Sequence, residues 1–194
     1  MRKIDTGKLV VITGPMFSGK TSRLLELLER ELRAGRKTIL FKPEIDKRYS
    51  KAHVVTNKGI MLPAVISPIG SKTKKFIFEK SKGFDVIGVD EAQFWNSKSN
   101  LHKVLDDLVF LKKLVYVSAI NKNIKNEAFE TTSKLLIRAD EIHTLTSVCA
   151  KCGNDATLTQ KIRDNKEVFN KVIDVGGNDK YEPRCRNCYV PYKR

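Results

Sequence analysis

The chain contains no long hydrophobic run. No stretch approaches the roughly 18 apolar residues that span a bilayer, and the N-terminal MRKIDTGK lacks the apolar centre of a secretory leader. These absences lead us to expect a soluble, cytoplasmic protein with no membrane contact. Histidine is sparse: His53, His102 and His143 are dispersed and match no metal spacing. Cysteine is limited to four residues, and none is left over, because all fall in two C-x-x-C pairs, Cys149/Cys152 and Cys185/Cys188. In a reducing compartment such pairs point to metal more than to disulfides, with a redox dithiol and chance pairing as competing readings. Internal repeats, low-complexity tracts and blocks of like charge are also missing. The net charge of +15 is scattered along the chain; it attracts polyanions, either nucleic acid or small phosphorylated ligands.

What is present divides into two textures. From residue 8 to about 145, short apolar β-branched runs alternate with helical patterns. KLVVIT (8–13), TILFKP (38–43), FDVIGVD (84–90) and LVYVSA (114–119) read as strands buried on both faces of a parallel sheet. Leu24, Leu25, Leu28 and Leu32 recur at helical spacing, closed by Gly35. Weaker helical patterns cover about 70–82, 99–112 and 127–139. The alternation predicts an α/β fold with a parallel sheet flanked by helices. From Cys149 onward the chain is polar, rich in Asn, Asp and Lys, with too few apolar residues for its own core. The expected organisation is therefore a nucleotide-binding α/β domain over 1–145 and a small metal-pinned segment over 146–194.

GPMFSGKT (14–21) fits G-x-x-x-x-G-K-[ST] at every fixed position. The pattern has a chemical reason. Gly14, Pro15, Met16, Phe17, Ser18 and Gly19 form a loop whose backbone N–H groups surround phosphates. Lys20 reaches the β and γ oxygens, Thr21 offers a hydroxyl to Mg²⁺, and the helix that starts there directs its dipole at the anion. A strand before the loop and an amphipathic helix after it supply the required context. The expected fold is thus of the P-loop NTPase kind.

FDVIGVDEAQF (84–94) is an apolar strand ending in Asp90 and Glu91. An acidic residue at the tip of a neighbouring strand holds Mg²⁺ in P-loop proteins, and Asp90 suits that role. Glu91 follows and faces elsewhere by strand alternation, where it can accept a proton from an attacking hydroxyl. The same residue would activate water in an ATPase, so the pair alone separates neither reaction. The two C-x-x-C pairs together supply four thiolates, the all-cysteine ligand set of a structural zinc site. The 32-residue spacer (153–184) exceeds that of ordinary zinc ribbons.

TGPMFSGKT, FKPEIDKRYS (41–50), VDEAQF (89–94), VCAKCGNDATLTQK (148–161) and VGGNDKYEPRCRNCY (175–189) occur here in order. Together they resemble the zinc-containing type of thymidine kinase across about 8 to 190. The resemblance implies transfer of the ATP γ-phosphate to the 5′-hydroxyl of thymidine, with Mg²⁺ and a structural zinc. It implies Lys20 and the loop amides on the phosphates, Thr21 and Asp90 on Mg²⁺, and Glu91 as base. Arg48 matches the family arginine that crosses to the phosphates. The stretch between the cysteine pairs resembles the family's lasso, a loop that closes over the nucleoside. Met16, Phe94, Ile120, Phe129, Thr159, Val172, Val175 and Tyr181 would line the nucleoside site. A homotetramer or dimer, and inhibition by dTTP, are also implied by the resemblance, with no stable nucleic-acid partner.

The match departs at INKNI (120–124). Asn121 stands where the family usually has an acid, Asn123 replaces Asp or Thr, and Ile124 replaces an aromatic. The expected effect is on pyrimidine selectivity and not on phosphate chemistry. The competing reading from another class is a P-loop ATPase whose zinc ribbon and positive charge engage nucleic acid.

Overall fold

The computed structural model describes residues 4–46, 53–55, 61–163, 166–168, 176–177 and 179–192, with backbone alone at 53–55 and 61. Six strands form one parallel sheet: β1 (Lys8–Gly14), β2 (Thr38–Pro43), β5 (Val65–Ser67), β6 (Val86–Val89), β7 (Leu114–Ile120) and β8 (Glu141–Thr144). Their order across the sheet is β5-β2-β6-β7-β1-β8. Strand β2 has the anticipated limits, and β1 and β7 each run one residue further. Strand β6 is shorter than expected at its N-terminal end, where the Asp85 carboxylate instead accepts the Lys37 N–H at 2.9 Å.

Strands β5 and β8 were not anticipated. VIS and EIHT are too short and too polar to read as buried strands. Both lie at sheet edges, where only one side needs a partner, and β8 alternates half-buried and exposed residues. Strands β3 (His53–Val55) and β4 (Met61–Pro63) pair antiparallel as a separate two-stranded sheet.

The two faces of the sheet are covered by different helices. Helix α1 (Lys20–Arg33) lays Leu24, Leu25, Leu27 and Leu28 on Val10, Ile12, Leu40, Val86 and Tyr116. On the other face, α2 (Thr73–Lys80), α3 (Leu101–Phe110) and α4 (Glu130–Arg138) pack on Leu9, Val11, Phe41, Ile87, Val89, Val115 and Val117. Alternate residues of β1 thus serve opposite cores, as a doubly covered sheet requires. Near its C-terminal end α1 carries one buried charge. Glu31 pairs with Arg36 and accepts the Tyr116 hydroxyl at 3.1 Å. Burial first, then the Glu31 carboxylate, pushes the Tyr116 phenol up to about 12, so it remains a donor.

After β8 the chain forms small antiparallel sheets: β9 (Ser147–Val148) with β10 (Asp155–Ala156), and β11 (Leu158–Arg163) between β12 (Lys166–Glu167) and β13 (Tyr181–Arg184). The separate apolar cluster here is Cys149, Ala156, Cys185 and Cys188. Four residues of this size bury too little to fold a segment, which makes the sulfur cluster itself the centre of this part.

Gly88, on β6, lies under Leu28 of α1. A methyl group there would come within 2.6 Å of Leu28 Cδ1 and 2.9 Å of Leu40 Cδ1. Both leucines are buried in the α1-side core, so moving either one disturbs its packing. Gly88→Val is expected to destabilise the fold by about 1–3 kcal/mol through overpacking. Urea unfolding monitored by circular dichroism checks this, and an unchanged midpoint would show that the helix adjusts freely.

Candidate active site and cysteine cluster

The carboxyl end of β1 turns into the phosphate loop through three residues with positive φ: Gly14 (155°), Phe17 (62°) and Gly19 (82°). At Gly14 a side chain is excluded twice, by conformation and by space, since a Cβ would lie 2.4 Å from the Leu145 carbonyl oxygen. Gly19 leads into α1, whose first turn receives no side-chain cap. Lys20 is buried under the loop, its ammonium 3.4 Å from the Ser18 hydroxyl and donating also to the Pro15 carbonyl. A cation thus lies against the loop backbone at the start of a helix, an arrangement suited to polyphosphate binding.

The structure corrects two expectations about the acidic pair. Asp90 was expected on a strand neighbouring the loop's own, but β7 lies between β6 and β1. Contact is made instead by α1, which crosses over the strand ends and brings Thr21 Oγ1 to 3.2 and 3.3 Å from the Asp90 carboxylate oxygens. The intervening strand contributes Ser118, whose buried hydroxyl donates to Asp90 and accepts the Glu91 N–H at 3.4 Å. Secondly, strand alternation does not govern Glu91. β6 ends at Val89, and Glu91 adopts the left-handed conformation (φ 57°, ψ 43°) at the start of a 3₁₀ turn, Ala92–Phe94. That conformation costs a residue with a side chain roughly 1–2 kcal/mol, and such strain persists where surrounding bonds over-determine it. Here the Phe94 N–H donates to the Glu91 carbonyl at 3.1 Å, and the Gln93 amide donates to its carboxylate.

The anticipated nucleoside-side residues fall into three groups. Met16 and Thr159 meet directly: the Met16 N–H donates to the Thr159 hydroxyl at 3.0 Å, joining the phosphate loop to β11. Phe94, Ile120 and Phe129 are half-buried, on the 3₁₀ turn, the end of β7 and the residue before α4. Tyr181 is buried on β13 opposite Lys161, whose ammonium lies 5.9 Å from the ring centre. Arg48, Val172 and Val175 lie outside the described residues.

In the divergent 120–124 segment, Ile124 is buried and its carbonyl accepts the Tyr189 hydroxyl at 2.7 Å, tying the loop to the second cysteine pair. Asn123 organises the turn. Its side-chain oxygen accepts from the N–H groups of Lys125 (2.8 Å) and Glu127 (3.1 Å), so the change to asparagine has a local structural use.

Three residues of the site were not anticipated. Ser118 is visible in the sequence as the one serine in an apolar strand, Gln93 as the unassigned member of VDEAQF. Ser147, which donates to the Phe17 carbonyl at 3.1 Å, carries no signal in its neighbourhood.

The four cysteine sulfurs all lie within 4.8 Å of one another. Cys152 and Cys185 sulfurs are 3.6 Å apart, too far for a disulfide and close to the ~3.8 Å edge of a tetrahedron with zinc–sulfur bonds of about 2.3 Å. Gly153, in the left-handed region, turns the chain so that its N–H returns to the Cys149 carbonyl at 3.0 Å. Burial works against ionising Cys149. Backbone N–H donors from Cys185, Lys151 and Cys152 outweigh it and bring the thiol down to about 6. Cys188 is pushed up to about 12, first by its hydrogen bonds to Cys152 and Cys185. Four sulfurs this close cannot all ionise without a cation among them, and one thiolate is already favoured. The donor set therefore fits a divalent, thiophilic ion such as zinc. Metal analysis of purified protein is expected to give about one zinc per chain, held by the four thiolates. Cys185→Ser is expected to lose it. Well-folded protein that contains no zinc when grown in zinc-replete medium would contradict the assignment.

The family model described as "Thymidine kinase" matches residues 7–189. A thymidine kinase of Thermococcus kodakarensis is 42% identical over 188 residues, covering 95% of this chain and 94% of that protein. Thymidine kinases of Pyrobaculum aerophilum and Mesoplasma florum are each 37% identical, over 94% of this chain and 98% and 91% of theirs. Since the family model and these relatives extend over nearly all of both chains, they take in the phosphate loop, the acidic pair and both cysteine pairs together. The chain belongs to the thymidine kinase family.

Proposed function

We infer that this chain phosphorylates thymidine with ATP, giving dTMP and ADP. The observation that carries the residue roles is the different bonding of the acidic pair: the Asp90 carboxylate is bonded to Thr21 of the phosphate loop, and the Glu91 carboxylate accepts from the Gln93 amide. In this reading Lys20 and the loop amides hold the β- and γ-phosphates. Thr21 and Asp90 present oxygen donors suited to Mg²⁺, with Ser118 fixing the carboxylate. Bound there, Mg²⁺ would neutralise charge on the phosphate oxygens. Glu91 takes the proton from the 5′-hydroxyl, the new O5′–Pγ bond forms, and the bond from Pγ to the bridging oxygen breaks to release ADP.

Arg48 would cross to the phosphates as charge develops there. The lid is residues 146–194, pinned at both ends by zinc on Cys149, Cys152, Cys185 and Cys188. Its strand β11 carries Thr159, already bonded to Met16. Met16, Phe94, Ile120, Phe129, Tyr181, Val172 and Val175 complete the nucleoside site. Assembly as a homotetramer or dimer, inhibition by dTTP and a cytoplasmic location belong to the same proposal. Among the described residues no helix is long and apolar enough to cross a membrane.

The test is a radiolabelled γ-phosphate transfer assay with thymidine, deoxyuridine, deoxycytidine and single-stranded DNA in parallel. Label in dTMP, with thymidine preferred, is the expected outcome. Phosphate released only in the presence of DNA would overturn the reading in favour of a nucleic-acid-dependent ATPase. Glu91→Gln is expected to lower transfer roughly 10²–10⁴-fold while binding of an ATP analogue is retained. Near-normal turnover in that variant would remove Glu91 from the role of base.

A further inference from the structure

We propose that Gln93 is a positioning residue for the phosphoryl transfer, aiming the Glu91 carboxylate by tying it to the end of β7. The proposal rests on the assignment of Glu91 as base. Gln93 is almost wholly buried, at 4% exposure, so its side chain is enclosed by protein and acts through a neighbour. Both ends of its amide are engaged. Nε2 donates to one carboxylate oxygen of Glu91, and Oε1 accepts the Ile120 N–H at 3.0 Å. The Ile120 N–H is a donor and nothing else, so it fixes which end of the amide faces it. The NH₂ group must then face Glu91.

The anchoring point ties the bond to the chemistry. Ile120 is the register partner of Gly14, the residue where β1 enters the phosphate loop. The carboxylate is therefore held against the same strand ends that hold the phosphates. Helix α4 secures this anchor from the other side, because the Thr132 hydroxyl donates to the Ile120 carbonyl at 2.9 Å. The next residue back along the helix, Thr131, donates to the carbonyl of Trp95, just after the 3₁₀ turn that carries Gln93. One carboxylate oxygen of Glu91 is thus held by an immobile donor, and this sets the direction in which the other faces. Removing the Gln93 bond widens the range of orientations open to the carboxylate, and fewer of them are productive.

A packing role alone predicts lost stability and nothing specific in turnover. Positioning predicts a split. Gln93→Met, similar in volume but without the amide, is expected to lower kcat about 10–100-fold, the order of loss for a misplaced catalytic group. KM for thymidine and ATP, and the Kd of a non-hydrolysable ATP analogue, are expected to stay within about twofold of wild type. In a Glu91→Gln background, Gln93→Met is expected to cause no further loss, because the two residues act as one unit. A kcat within twofold of wild type for Gln93→Met, or an equal loss in both backgrounds, would overturn the proposal. Should Gln93→Met fail to fold, Gln93→Asn keeps the amide but shortens its reach. It is expected to show the same split, and unchanged turnover in a folded Gln93→Asn would overturn the proposal equally. Failure of the base assignment is read separately, from near-normal turnover of Glu91→Gln alone.

Discussion

The register between β1 and β7 is the constraint on which the rest of the site depends. Seven residues of β1, from Lys8 to Gly14, pair in parallel with Leu114 to Ile120. A slip of one residue would send Leu9 and Val11 to the α1 face and Val10 and Ile12 to the other, exchanging two filled cores. The register is thus held by hydrophobic burial over the whole strand, while its chemical consequence appears only at the end. There, Gly14 opens the phosphate loop beside Ile120, and Ser118, two residues before Ile120, lies under the acidic pair. Hydrophobic packing in the middle of the sheet sets polar geometry at its edge.

That polar edge is strained and tightly bonded at once. Phe17 and Glu91 adopt a backbone conformation that their side chains disfavour. Phe17 has its carbonyl held by Ser147, and Glu91 has bonds at its N–H, its carbonyl and its carboxylate. The bonding partners come from three different parts of the chain: β7, the 3₁₀ turn and the segment before the first cysteine pair. Strain of this kind is stable only while all three parts are in place. The phosphate loop is therefore a product of the whole fold and not of its eight-residue motif.

Much of this was legible in the sequence, for physical reasons that also mark the limits. Strands such as VVI and TILF are buried on both sides, and continuous apolar runs of that kind have few other uses. The loop motif needs glycine at fixed positions, so it stands out, and paired cysteines stand out because cysteine is otherwise absent. Strand order was not legible. Asp90 reads as the tip of a strand, but nothing near it in sequence says that β7 will be inserted between it and the loop. β8 was missed because EIHT gains its place by pairing with β1 at an edge, a tertiary effect with no local pattern. The turn at Glu91 was missed since glutamate rarely adopts it. Gln93 sat in a quoted motif without a role, because an amide's use depends on what lies at each end of it.

Helix α1 begins with Lys20 and Thr21, and about two turns further on its Leu28 rests on the sheet over Gly88. The missing side chain at that point sets the depth at which the helix lies. A helix is stiff along its axis, so it behaves as a lever whose fulcrum is a hydrogen atom on β6. Raising the fulcrum by the width of a methyl group would tilt the end that carries the ammonium and the hydroxyl, without touching either. Residues in the middle of the sheet, far from any phosphate, can therefore tune the spacing between cation and carboxylate. In this protein some of the determinants of the geometry around Lys20, Thr21 and Asp90 look, in sequence, like ordinary core.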